Sequence, residues 1–148
     1  MQNVIQRELL INATAERIYN AIAKPEQLVK WFPDSVTGDY RQGSHAQFKF
    51  GENHKSNVFV EAASPNHYFA YRWVPGGNNF TDDVLTVPHT LVEFRITELA
   101  PGRCKVSLTE TGFANLPPEI AANSFSENSG GWDFMLGRLQ QYFMAEAK

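Results

Sequence analysis

The chain opens with a period-two alternation. Over residues 4–11, Ile5, Leu9 and Ile11 fall on one side, which predicts a first strand even though the charged Arg7 shares their parity. A helical spacing follows, with Ala15, Ile18, Tyr19 and Ile22 on one face, Thr14 placed to cap and Glu16 in the first turn. Pro25 suits the opening of a second short helix, because its missing N–H falls where no intrahelical partner exists. That helix carries Leu28 and Trp31 on one face and ends near Pro33.

From Ser35 to Phe113 the period returns to two. Ala46, Phe48 and Phe50 share a face opposite His45, Gln47 and Lys49, and Val58, Val60 and Ala62 make the next apolar set before a turn at Ser64-Pro65-Asn66. Phe69, Tyr71 and Trp73 alternate with Ala70, Arg72 and Val74. Val92, Phe94 and Ile96 form a further set, and after a Pro101-Gly102 turn so do Cys104, Val106 and Leu108. Strands with one apolar and one polar face predict an antiparallel sheet covered on one side. The cover comes from the last segment, where Phe125, Trp132, Leu136, Leu139 and Phe143 form a helical stripe. Gly130-Gly131 lowers helix propensity there, so the spacing predicts a helix that bends or starts at that pair. The stretch Pro75 to Pro88, with Gly76, Gly77, Asn78, Asn79, Asp82 and Asp83, is too long for a tight hairpin and reads either as a functional loop or as a disordered turn with a stray Val84-Leu85 pair.

Composition narrows the class. The 148 residues fit one domain, 1–148, and 43% are hydrophobic, enough for a core without staples. Thirteen Lys and Arg against 16 Asp and Glu give a net charge of −3, which argues against nucleic acid as a partner. The single Cys104 excludes an intrachain disulfide and an all-cysteine metal site. No apolar run reaches the roughly 18 residues of a membrane-spanning helix, and no signal-peptide core is present, so the expected location is cytoplasmic.

A strand, two short helices, a run of antiparallel strands and a long terminal helix resemble the START-like (SRPBCC) helix-grip superfamily. Within it the chain resembles the activator of heat-shock protein 90 ATPase homologue-like family. Ala15-Glu16-Arg17-Ile18-Tyr19 is similar to the family's opening helix, Pro25-Glu26-Gln27-Leu28 with Trp31-Phe32 to its second element, and Tyr71-Arg72-Trp73 to its mid-sheet aromatic pair. Thr90 to Phe94, Leu108 to Phe113, and Gly131-Trp132 with Leu136 and Leu139 are similar to its last strands and final helix. Lys24 stands where the family often has a capping Asp, and the separate N-terminal domain of the eukaryotic cochaperone is not expected here.

The resemblance implies an α+β helix-grip fold, a curved antiparallel sheet wrapped around the terminal helix, with room for a guest between them. Inward parity then predicts a lining of Phe48, Phe50, Val58, Tyr71 and Trp73, continued by Val92, Phe94 and Leu108. The helix would add Trp132, Met135 and Leu136, with Trp31 and Phe32 near the mouth. The same rings could instead fill the space as ordinary core. Glu110 continues the inward parity of Val106 and Leu108, so it is either a carboxylate facing the interior or a strand end turned to solvent by Thr111-Gly112.

The leading expectation is non-catalytic binding of a hydrophobic small molecule, with no metal or cofactor. Two others stay open. One is a polyketide cyclase- or aromatase-like enzyme using Glu110 as acid or base with Tyr71 as hydrogen-bonding partner; the other is a chaperone ATPase-activating module with a protein partner. His45, His54, His67 and His89 form no ligand-like spacing, and Cys104 reads as a small buried hydrophobe.

Overall fold

The computed structural model describes residues 3–75 and 82–146. Its elements are β1 (Val4–Ile11), α1 (Ala15–Ala23), α2 (Pro25–Leu28), β2 (Ser35–Gly38), β3 (His45–Phe50) and β4 (His54–Ser64). There follow β5 (Tyr68–Trp73), β6 (Thr90–Ala100), β7 (Arg103–Thr111) and α3 (Pro118–Glu146), with short 3₁₀ turns at Val84–Thr86 and Phe113–Asn115. All seven strands join one antiparallel sheet in the order β1-β7-β6-β5-β4-β3-β2. Register shifts at Val60/Ala62 and Glu98/Ala100 add local bends that help the long strands curve. The curved sheet with a long C-terminal helix is the α+β helix-grip architecture expected from the sequence.

Local chemistry explains the entry into this fold. Thr14 caps α1 by accepting the Arg17 N–H at 3.2 Å, and Pro25 opens α2, where Lys24 supplies no side-chain cap. The end of α1 is closed from outside the helix. The Trp31 indole donates to the Ala21 carbonyl at 2.9 Å and the Tyr40 hydroxyl to the Ile22 carbonyl at 3.1 Å, satisfying acceptors that the last turn leaves open. Gly38 turns the chain at φ 85°, where a Cβ would come within 2.9 Å of the His45 carbonyl oxygen.

The inward faces of β1 and of β3 to β7, with Ile18, Ile22, Leu28 and Trp31 from the first helical layer, form one buried cluster. Arg7 keeps the inward parity of β1 without entering that cluster: its Nε donates to Asp133 Oδ1 of α3 at 2.7 Å. The edge strand is thereby tied to the helix that crosses it.

Three sequence expectations change. The register shift after Val60 in β4 turns Ala62 out of its expected inward set, opposite Ala70, and packs Ala63 against the core instead. The helix α3 runs unbroken for 29 residues straight through Gly130-Gly131. Buried contacts on both sides of the pair, Ala121 and Ser124 before it and Trp132, Leu136, Leu139 and Phe143 after it, hold the glycines helical, so tertiary packing overrides propensity. Phe125 is only half-buried and packs edge-on against Phe113 at 5.1 Å. In the β5–β6 connection, Val84 is a fully buried anchor. Asp83 accepts the Leu85 N–H at 2.9 Å, and the Asn57 amide donates to the Asp82 carbonyl at 3.0 Å, fastening this half of the connection to β4. Gly76, Gly77, Asn78 and Asn79 lie outside the described residues. No helix among the described residues is long and apolar enough to cross a membrane.

Candidate functional site

Three neighbouring strands bring Trp73, Thr90 and Glu110 to the same end of the inner face. Trp73 lies opposite Thr90 across β5 and β6, and Val92, two residues further on, lies opposite Glu110 across β6 and β7. From the other side, Asn128 and Trp132 stand four residues apart on one face of α3. These five side chains meet.

Glu110 is fully buried. Its Oε2 accepts from the Trp73 indole at 2.9 Å and the Thr90 hydroxyl at 2.5 Å, and its Oε1 accepts from the Trp132 indole at 2.8 Å. The Asn128 Nδ2 donates to Oε1 and Oε2 at 2.9 and 3.0 Å. Burying a carboxylate is expensive unless its lone pairs are met, and here four neutral donors meet them. Of the two environments open to Glu110 in sequence, the interior one is observed. The inward alternation of β7 holds through Glu110, and the chain leaves the strand only at Gly112. Gly112 adopts φ 103° beside the His89 carbonyl, where a Cβ would sit 3.2 Å from that oxygen.

The rings around this carboxylate form a continuous wall. Phe32 packs against Trp132 at 5.2 Å, Phe50 at 5.4 Å, Phe48 at 5.5 Å and Trp73 at 6.0 Å between centroids, and Trp73 tilts at 33° to Trp132. Above it two hollows adjoin, sharing Phe50, Trp73 and Asn128. The smaller is a slot of about 150 Å³ whose other walls are Phe32, Trp132, Met135 and the backbone at Gly131. The larger is a cleft of about 350 Å³, with His54, Lys55 and Ser56 of β4 on one bank and Glu127 of α3 on the other. Its remaining wall is Val74-Pro75 at the end of β5.

The residues expected to line a cavity are therefore divided. Phe32, Phe50, Trp73, Trp132 and Met135 line the slot, and Glu110 lies behind two of them. Phe48, Val58, Tyr71, Val92, Phe94 and Leu108 line neither hollow, being buried in the packed core with Leu136 above them. Trp31, expected near the mouth, is also fully buried, because its indole is drawn to the end of α1. The aromatic residues thus fill the deep space and leave the opening at one end of the sheet. Within that core the Tyr71 hydroxyl has no hydrogen-bond partner, and burial, with Tyr40 and Glu110 nearby, pushes its pKa well above the ordinary value.

Sequence reasoning missed Asn128 and Thr90. Asn128 carried a signal: it fills the gap in the helical stripe between Phe125 and Trp132, a polar residue where the spacing calls for an inward side chain. Thr90 lies two residues before Val92 and shares its parity. Outside the site, Arg72 is half-buried on the outer face, where it pairs with Glu61 and contacts His89 Nε2 at 3.3 Å. Cys104 is buried, which raises its thiol pKa, with the nearby Glu98 adding to the effect. No group of three or more His, Cys, Asp or Glu among the described residues is placed to hold a metal ion.

The sequence profile of the family described as activator of Hsp90 ATPase homolog 1-like protein matches residues 12–144. The chain belongs to this family. A search of curated proteins returned no match. Among solved structures, DynU16, a protein in the dynemicin biosynthetic locus, is similar with a TM-score of 0.75 at 18% identity. That alignment covers 96% of this chain but only 47% of DynU16, so this chain spans about half of that relative. The Aha1 dimer from Colwellia psychrerythraea gives a TM-score of 0.72 at 20% identity, covering 96% of each chain. An HSP90 activator from Plasmodium falciparum gives 0.72 at 13% identity, covering 95% of this chain and 96% of that one. At these identities the likeness is one of fold. The activator-homologue-like match spans every residue of the Glu110 cluster and of the adjoining slot.

Proposed function

We propose that this domain binds a small, mainly apolar molecule at the end of the sheet, with its ring or chain in the aromatic slot and its remainder in the cleft. The observation that carries this reading is the slot itself. Two indole rings and two phenyl rings flank an opening whose walls are fixed from behind by a buried carboxylate. Binding sites are typically concave and mostly apolar with a few oriented polar groups, and walls held in place before binding lose little entropy when the guest arrives. A cytoplasmic location, expected from the sequence, remains part of this proposal.

The test is titration with N-phenyl-1-naphthylamine, a neutral fluorescent apolar probe, alongside native mass spectrometry. Saturable fluorescence enhancement with one probe per chain supports the reading. Absence of saturable binding overturns it.

Catalysis by Glu110 is less favoured, because both of its oxygens already accept from neighbouring side chains and a substrate proton would first have to displace Asn128. A chaperone-linked role is suggested by the family's name and by the printed description of the Plasmodium falciparum relative. Stimulation of a heat-shock protein 90 ATPase by this chain alone is its direct assay.

A further inference from the structure

The Glu110 cluster decides which polar groups the slot can offer a guest. Among the described residues, the Trp73 and Trp132 indoles are the only N–H donors on the slot's aromatic side chains, and both point away from the opening, into the carboxylate. Asn128 is oriented by the same logic. A carboxylate surrounded by donors accepts, so the amide turns Nδ2 toward both oxygens of Glu110. The planar amide then carries Oδ1 on its opposite branch, away from Glu110, on a side chain that lines both hollows. Met135 adds a thioether sulfur, itself a weak acceptor. Among the described residues, the slot's indole N–H groups are drawn inward, and its lining presents aromatic faces with Asn128 Oδ1 and the Met135 sulfur as acceptors.

We infer that the slot selects an aromatic ring bearing a hydrogen-bond donor, a phenol or an arylamine, and that Asn128 Oδ1 is the acceptor that reads it. This deepens the ligand-binding reading and rests on it. The size agrees: an apolar cavity of about 150 Å³ admits a guest the size of benzene, so one ring occupies the slot and anything larger extends into the cleft. The selection is against aromatic rings whose only polar group is an acceptor, because they would place lone pair against lone pair at Asn128.

Three matched neutral probes isolate the donor: 2-naphthol, 2-methoxynaphthalene and naphthalene, titrated by quenching of tryptophan fluorescence. The inference expects 2-naphthol to bind at least about fivefold more tightly than 2-methoxynaphthalene, the effect of one net hydrogen bond. It also expects that gap to close in Asn128→Leu, the ratio of the two affinities being the readout whatever the variant's affinity for naphthalene. Equal or tighter binding of 2-methoxynaphthalene to the native chain overturns the inference and leaves the ligand-binding reading standing. So does a naphthol preference that survives in Asn128→Leu. Failure of all three probes to bind overturns the inference and the proposed function together. The comparison within the native chain needs no variant, so a poorly folding Asn128→Leu does not blunt it.

Discussion

Asn128 of the terminal helix spans both oxygens of Glu110 on the last strand, at 2.9 and 3.0 Å, and so joins the two layers through one carboxylate. Glu110→Gln keeps the shape and reverses one end of the group, setting an NH₂ among four donors. The expected loss is about 2–4 kcal/mol, because each buried donor left unpaired costs on the order of 1–3 kcal/mol. Urea unfolding with an unchanged slope measures it. A loss below about 1 kcal/mol would show that water takes over the role of the carboxylate.

Gly131 separates helix stability from access to the slot. A Cβ there meets nothing within 4 Å, so Gly131→Ala should stabilise α3 by about 0.5–1 kcal/mol without disturbing a neighbour. Gly131→Leu keeps the helical gain and extends into the slot that Gly131 lines. Its expected phenotype is a raised melting temperature with loss of N-phenyl-1-naphthylamine binding. Thermal unfolding and probe titration on the two variants check both halves.

Tyr71→Phe removes a hydroxyl that is buried and unpartnered. A buried polar atom without a partner gives up hydration for nothing, so the variant should be neutral or more stable by up to about 1 kcal/mol. Denaturant midpoints decide the sign. Destabilisation beyond about 1 kcal/mol would show that an internal water satisfies the native hydroxyl.

Alkaline titration should distinguish the tyrosines. Tyr68, on the outer face, is pushed from 10.0 to about 12, mainly by burial and then by its hydrogen bond to Glu93 at 2.5 Å. Its folded pKa lies above its unfolded one, so its contribution to stability is complete below about pH 10 and is lost as pH rises toward 12. Tyr40 and Tyr71 are raised well above the ordinary value by burial, so they should ionise only as the chain unfolds. Phenolate absorbance followed beside circular dichroism tests this. Early ionisation of the two core tyrosines in a folded chain would contradict it.

Much of the fold was legible because each strand buries one face, and a period of two reports that directly. The inward sets of β3, β5, β6 and β7 are buried where the alternation puts them, with Phe50 half-buried at the open end. The site was less legible. Parity put Tyr71 and Trp73 on the inward face, but it left Glu110 open between the interior and solvent and did not show that Phe32 would occupy the middle of the space and push the opening to one end. That outcome depends on how far rings reach across the interior, which a one-dimensional pattern does not encode. Arg7 shows the same limit: in the sequence it only interrupts the alternation of β1, yet the residue reaches past the core to Asp133.

The carboxylate at Glu110 answers to residues on β5, β6 and α3, from positions 73, 90, 128 and 132. Such a group has little freedom to drift one member at a time, since any single exchange strands the others. Over evolutionary time the five positions should be inherited as a block, and lineages that lose the acid should also have replaced its tryptophans.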